Sequence, residues 1–129
     1  MVAALRWASV ALDCEAPEGL AEFWARLLGG EVAFRSDAMC AVSTPEGLYL
    51  AMVRVRDHRP PDWPGDSVPK QIHLDLSVDD LDDAEAVARE AGAVPAASQP
   101  APDRWRVMLD PAGHPFCLSV QIPDRPRPE

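Results

Sequence analysis

The chain has 129 residues, with 12 basic and 21 acidic side chains and a formal net charge of −9, which excludes the basic surface that nucleic acid or anionic membrane requires. Apolar residues make up 47%, a globular composition in a chain long enough to bury about two thirds of its unfolded surface. No apolar run approaches the ~20 residues of a membrane span, and Met1–Leu12 lacks the basic start, apolar run and cleavage site of a secretion signal, so a cytoplasmic protein is expected.

In chain order, Trp7–Asp13 is compatible with a strand and Glu15–Gly19 with a turn. Leu20, Phe23, Trp24, Leu27 and Leu28 follow at i, i+3, i+4, i+7 and i+8, which places them on one face of a helix. Gly29-Gly30 stops it. Three short strands are expected next, over Glu31–Arg35, Met39–Ser43 and Tyr49–Arg54, with Thr44-Pro45-Glu46-Gly47 as a reversal between the last two. Residues 1–56 thus form a βαβββ module. Asp57–Pro69 holds Pro60, Pro61, Pro64 and Pro69 and reads as a linker.

The plan then repeats. Gln71–Val78 alternates as a strand, and Asp79-Asp80 suits the start of a helix. Leu81, Ala84, Val87, Ala88 and Ala91 form that helix's apolar stripe, and Gly92 ends it. Strands are expected over Val94–Ala97, Trp105–Leu109 and Phe116–Val120, with Asp110-Pro111-Ala112-Gly113 as the turn before the last. A second module therefore spans 70–122, and the proline-rich 123–129 reads as a loose tail. The expected class is α+β, with two βαβββ modules.

Strand alternation divides these segments into faces. Val10, Leu12 and Cys14 oppose Ser9, Ala11 and Asp13; Ile72, Leu74, Leu76 and Val78 oppose His73, Asp75 and Ser77. Phe116, Leu118, Val120 and Ile122 oppose Cys117, Ser119 and Gln121. Apolar backs pack on helices. The small or polar fronts either face water or line a ligand cavity. The three cysteines, Cys14, Cys40 and Cys117, have no CxxC spacing and read as reduced thiols packed as small apolar groups.

The order of these pieces resembles the vicinal oxygen chelate superfamily of glyoxalases, extradiol dioxygenases and bleomycin-resistance proteins, and within it the short glyoxalase-like proteins of bacteria; the resemblance implies mixed sheets that form an incomplete barrel around a cleft. The likeness rests on Ser9-Val10-Ala11-Leu12, Leu20-Ala21-Glu22-Phe23-Trp24, His73 to Leu81 and Leu109 to Leu118. In metal-dependent relatives two His and two carboxylates hold a divalent ion that polarises a substrate oxygen. Carried over by position, the first His falls on Ser9, the second is His73, and one acid is replaced by Cys117. The other acid falls near Leu50–Met52, where no carboxylate exists. One ligand of four is kept, and a metal needs several converging donors, so no metal and no cofactor are expected; recruitment of Asp13, Asp75 or Cys117 beside His73 is the alternative.

Single residues carry competing readings. His73, next to Asp75, is either a general base and ligand donor or a satisfied strand histidine. His114 reads as a turn residue, His58 as solvated and Trp24 as core. Trp105 and Trp63 suit either an aromatic ligand wall or a dimer contact. Asp75–Glu90 holds seven acids and one Arg, the pattern of a solvated helix face or of a docking surface for a cation. No phosphate loop, Gly-x-Ser-x-Gly elbow or His-Glu-x-x-His helix occurs.

The expected function is sequestration of a small organic ligand, with Tyr49 and Trp105 packing on it and Ser9, Asp13, His73, Asp75 and Cys117 around it. The alternatives are a lyase or isomerase with His73 as general base, and a metal-dependent glyoxalase or dioxygenase with altered ligands. A homodimer is expected because open sheets leave edges to cover.

Overall fold

The structure is a computed structural model that describes residues 4–63, 65 and 67–122. The tail expected over 123–129 lies outside the described residues, as do positions 64 and 66 of the proline-rich stretch. By internal contacts the chain divides into two units, Met1–His58 and Arg59–Glu129. The division falls inside the proline-rich stretch, so most of that stretch belongs with the second unit.

The first unit contains β1 (Ser9–Cys14), α1 (Pro17–Leu28), β2 (Glu31–Arg35), β3 (Met39–Ser43) and β4 (Tyr49–Arg54). Its sheet has the order β1-β4-β3-β2, with β1 parallel to β4 and the other pairs antiparallel. Of the expected helical face Leu20, Phe23 and Trp24 are buried, with Ala21 beside them, whereas Leu27 and Leu28 are half-buried; Leu12, Cys14, Cys40, Val42, Leu50 and Met52 are the buried residues of the sheet. Phe23 and Trp24 stack edge to face at 5.3 Å. α1 begins three residues earlier than its apolar pattern, at Pro17. Proline has no N–H, and the first helical N–H would have no partner within the helix in any case. The helix ends at Gly29, whose φ of +68° is the left-handed cap. Gly30 passes so close to β3 that a Cβ there would lie 2.1 Å from the Ser43 carbonyl oxygen.

The second unit repeats the plan with β5 (Leu74–Ser77), α2 (Leu81–Ala91), β6 (Val94–Pro95), β7 (Trp105–Leu109) and β8 (Pro115–Ser119), in the order β5-β8-β7-β6. The two βαβββ modules of an α+β protein are therefore present, each with an open four-stranded mixed sheet. Asp80 caps α2 by accepting from the Asp83 N–H at 2.9 Å. The acidic strip is tied into this helix: Arg106 donates to Asp82 at 2.8 Å and pairs with Glu85, which also pairs with Arg89. The Asp-Pro-Ala-Gly turn forms around buried Asp110, whose carboxylate accepts from Ala112 N–H and His114 N–H, both at 2.9 Å.

Three expectations are corrected. β5 starts at Leu74 rather than Gln71, because its ladder to β8 begins at Leu74↔Phe116, beside a proline that cannot donate. Ile72 consequently stands 68% exposed instead of joining the apolar back. β6 is cut to two residues by Pro95, and the Gln99 side chain takes over its pairing, donating to the Ala96 and Val107 carbonyls and accepting from Val107 N–H. β8 is buried on both faces; Cys117 and Ser119 do not lie on an open front, and Val120 and Ile122 fall beyond the strand and are exposed.

Candidate functional site

The β5–β8 ladder brings a titratable cluster together in the second unit. Asp75 is the register partner of Cys117 across the parallel pair, so both side chains share a face. His73 lies two residues before Asp75, just outside the strand, and its Nε2 is 3.1 Å from Asp75 Oδ1. One donor atom from each of His73, Asp75 and Cys117 falls within 4.8 Å of the others. The side chains of His73 and Asp75 are 32% and 44% exposed, whereas Cys117 is buried.

Burial pushes the Cys117 thiol from its ordinary 9.0 up to about 11, the charge of Asp75 and a hydrogen bond to it adding to the effect while Lys70 opposes it. Desolvation and a neighbouring carboxylate both disfavour the thiolate. The thiol is thus protonated at neutral pH and unreactive. Asp75 sits between an imidazole and a thiol, which lets it orient His73.

An aromatic patch adjoins this cluster. Ala96, Val107 and Cys117 form a buried group against which Trp63, Trp105 and Leu109 pack. The Arg104 guanidinium lies over the Trp105 ring, 5.2 Å from its centroid, and Lys70 Nζ lies 4.0 Å from the centroid of Trp63. Lys70 escaped the sequence reading, although it is the only lysine of the chain.

The remaining expected residues belong to the first unit. Ser9 and Tyr49 are register partners on β1 and β4, and both are exposed, as is Asp13. A cavity of about 650 Å³ in that unit is lined by Glu15, Ala38, Arg54, Val55, Arg56, Asp57 and His58. None of the expected ligand-binding residues lines it, and alternation gave no signal for it because most of its wall is loop.

The metal set of the resembled superfamily does not fit these residues. Ser9 supplies only a hydroxyl, Leu50, Ala51 and Met52 supply no side-chain donor, and the thiol at 117 holds its proton. Hard divalent ions want several oxygen ligands, and the cluster found among the described residues offers one carboxylate, one imidazole and one thiol within reach of one another.

The comparisons agree with the fold. A sequence model of the glyoxalase-like domain matches residues 9–119. The fold is similar to the oxidase ChaP-H2, at 22% identity over 92% of this chain and 94% of that one, with a TM-score of 0.64. It is similar to a glyoxalase/bleomycin resistance/dioxygenase family enzyme from Burkholderia phytofirmans, at 15% identity over 85% and 94% of the chains and a TM-score of 0.62. It is also similar to a variant of the fosfomycin resistance protein FosX from Listeria monocytogenes, solved with Mn(II) and 1S,2S-dihydroxypropylphosphonic acid, at 13% identity over 95% of each chain and a TM-score of 0.65. No curated protein matches in sequence. With 111 consecutive positions, 9 to 119, under one family model and both βαβββ modules in place, the chain belongs to the glyoxalase-like domain family.

Proposed function

We propose that the protein binds a small organic molecule at the His73–Asp75–Cys117 face of the second unit and holds it without a bound metal. The observation that carries this reading is the junction of a half-exposed His–Asp pair with an apolar patch of Ala96, Val107 and Cys117 that Trp105 borders and Trp63 overlies. Ligand sites combine apolar walls with a few convergent polar groups in this way. A relative of the same fold held a small phosphonate, which supports small-molecule binding as the use of the scaffold. Within this reading His73 donates to an acceptor on the ligand, Asp75 fixes the imidazole, and Trp105 packs on the apolar part. Ser9 and its register partner Tyr49 form a second polar and aromatic pair on the first unit's sheet, with Asp13 farther along β1. The protein acts as a homodimer, since both sheets are open and Trp7, Phe34 and Ile72 are exposed.

The test is a thermal-shift screen of organic acids and aromatic compounds, followed by titration of hits against His73→Ala. Loss of one charge-assisted hydrogen bond should weaken binding by about tenfold or more. Unchanged affinity overturns the placement. Light scattering of the purified protein checks the dimer; a mass of one chain overturns it.

The converging donor atoms favour a second reading, in which a soft divalent ion such as zinc binds His73, Asp75 and Cys117 with release of the thiol proton. Elemental analysis separates the two: stoichiometric zinc, nickel, manganese or iron overturns the metal-free reading. The same His–Asp pair would also suit proton abstraction next to a carbonyl. A hit recovered unchanged after long incubation in deuterated buffer, with no deuterium at carbon, excludes that activity on it.

A further inference from the structure

The stretch from Arg59 to Lys70 belongs to the second unit and is fastened there at its start. Pro60 packs on Gly113 in the β7–β8 turn so closely that a Cβ on that glycine would come within 2.4 Å of it. Beyond Pro60 the chain closes on itself. Asp62 N–H donates to the Val68 carbonyl at 2.8 Å, and the Ser67 hydroxyl donates to the Asp62 carboxylate. Between these ties Trp63 lays its indole against the Ala96–Val107–Cys117 group, beside Trp105 and Leu109. Lys70 covers the ring.

Floor, wall and cation are what a flat π-system needs for recognition. Here the chain's own side chain fills that place. The fit is incomplete in one respect: Trp63 Nε1 is buried and, among the described residues, has no hydrogen-bond partner. A buried donor without an acceptor penalises the docked position. The ring is thus held by shape and by Lys70, with no polar bond to latch it.

We propose that Trp63 is a resident plug standing in for the ligand. The face takes a planar aromatic anion, which displaces the indole from Val107 and Cys117 and draws its negative group to the released Lys70. This rests on the reading of the second-unit face as the binding face, and it adds the ligand class and the residue that controls entry.

Anilinonaphthalene sulfonate, a flat aromatic anion, serves as the probe. Trp63→Ala should bind it roughly tenfold tighter than the unaltered protein, the factor imposed by a plug seated about nine-tenths of the time. Fluorotryptophan labelling gives a second measurement that needs no destabilising variant. The Trp63 fluorine signal, identified by its loss in Trp63→Phe, should move when the probe is added, and that of core Trp24 should stay. Weaker binding by Trp63→Ala, binding with the Trp63 signal unmoved, or no binding by either protein overturns the plug. Probe binding that ignores His73→Ala in both backgrounds overturns the face assignment itself, and the plug with it.

Discussion

Asp75 lies directly across the β5–β8 ladder from Cys117; burial keeps that thiol protonated, and the carboxylate adds to the effect while holding His73 at 3.1 Å. One acid thus ties together the two groups on this face that could do chemistry. Its consequences can be measured without knowing a ligand.

Stability should fall at alkaline pH because of Cys117. The unfolded thiol ionises near its ordinary 9.0 and the folded one near 11. The folded state therefore keeps a proton that the unfolded state has lost. The stabilisation is complete below about pH 9 and disappears as pH rises towards 11, a loss of about 2–3 kcal/mol. Urea midpoints measured from pH 7 to 11 should show the decline, and Cys117→Ala should be flatter over the same range. Cys14, Cys40, the one lysine and the one tyrosine are common to both proteins, so the difference between the two slopes isolates Cys117. Equal slopes in the two proteins would contradict the assignment.

Asp75→Asn should wake the thiol. Removing the negative charge withdraws one of the causes that raise it, leaving burial. Alkylation of Cys117 by iodoacetamide at pH 8, followed by mass spectrometry of the peptide, should be several-fold faster than in the unaltered protein. A rate that stays the same would mean that desolvation alone governs this cysteine.

Gly113→Ala should be strongly destabilising. Its φ of +85° disfavours any side chain, and the new methyl would press on Pro60. Strain of this kind costs about 1–3 kcal/mol, or roughly 5–10 °C in melting temperature for a chain of this size. Gly47 also has a positive φ but meets nothing within 4 Å, so Gly47→Ala should cost less. Calorimetry of the pair isolates the contact with Pro60 from the backbone term.

The acidic strip should prove unequal in its parts. Asp80→Ala removes the cap of α2 and should cost about 0.5–2 kcal/mol. Asp82→Asn breaks an ion pair in which Asp82 is 87% exposed, and should cost under about 1 kcal/mol. Equal losses would show that charge, not capping, dominates this helix.

Periodicity was enough to read both helices and nearly every strand, because Leu20, Phe23 and Trp24 or Leu81 and Ala88 can reach a core only from one helical face. The misreadings share a cause in the partner strand. Nothing in Gln71-Ile72-His73 says that the strand opposite begins with Pro115, yet that proline sets where β5 can start. Cys117 looked open because alternation counts faces and cannot see that Trp63, more than fifty residues away in sequence, lies on one of them. Alternation and the resemblance already placed Asp75 or Cys117 beside His73; the register brings both there and leaves Asp13 on the first unit's sheet. Lys70 and the wall of the first unit's cavity sit on irregular segments, where no period exists to interpret.

Pro95 has one more implication. Ala96 N–H points inward to the Val107 carbonyl, so by alternation its neighbour Pro95 turns its backbone outward, and a proline has no hydrogen there to offer. That rim of the second sheet is a poor template for recruiting a stranger's strand, which guards the molecule against open-ended stacking into fibrils. Any self-association that extends a sheet is steered to the opposite border, at β5, or to the borders of the first unit.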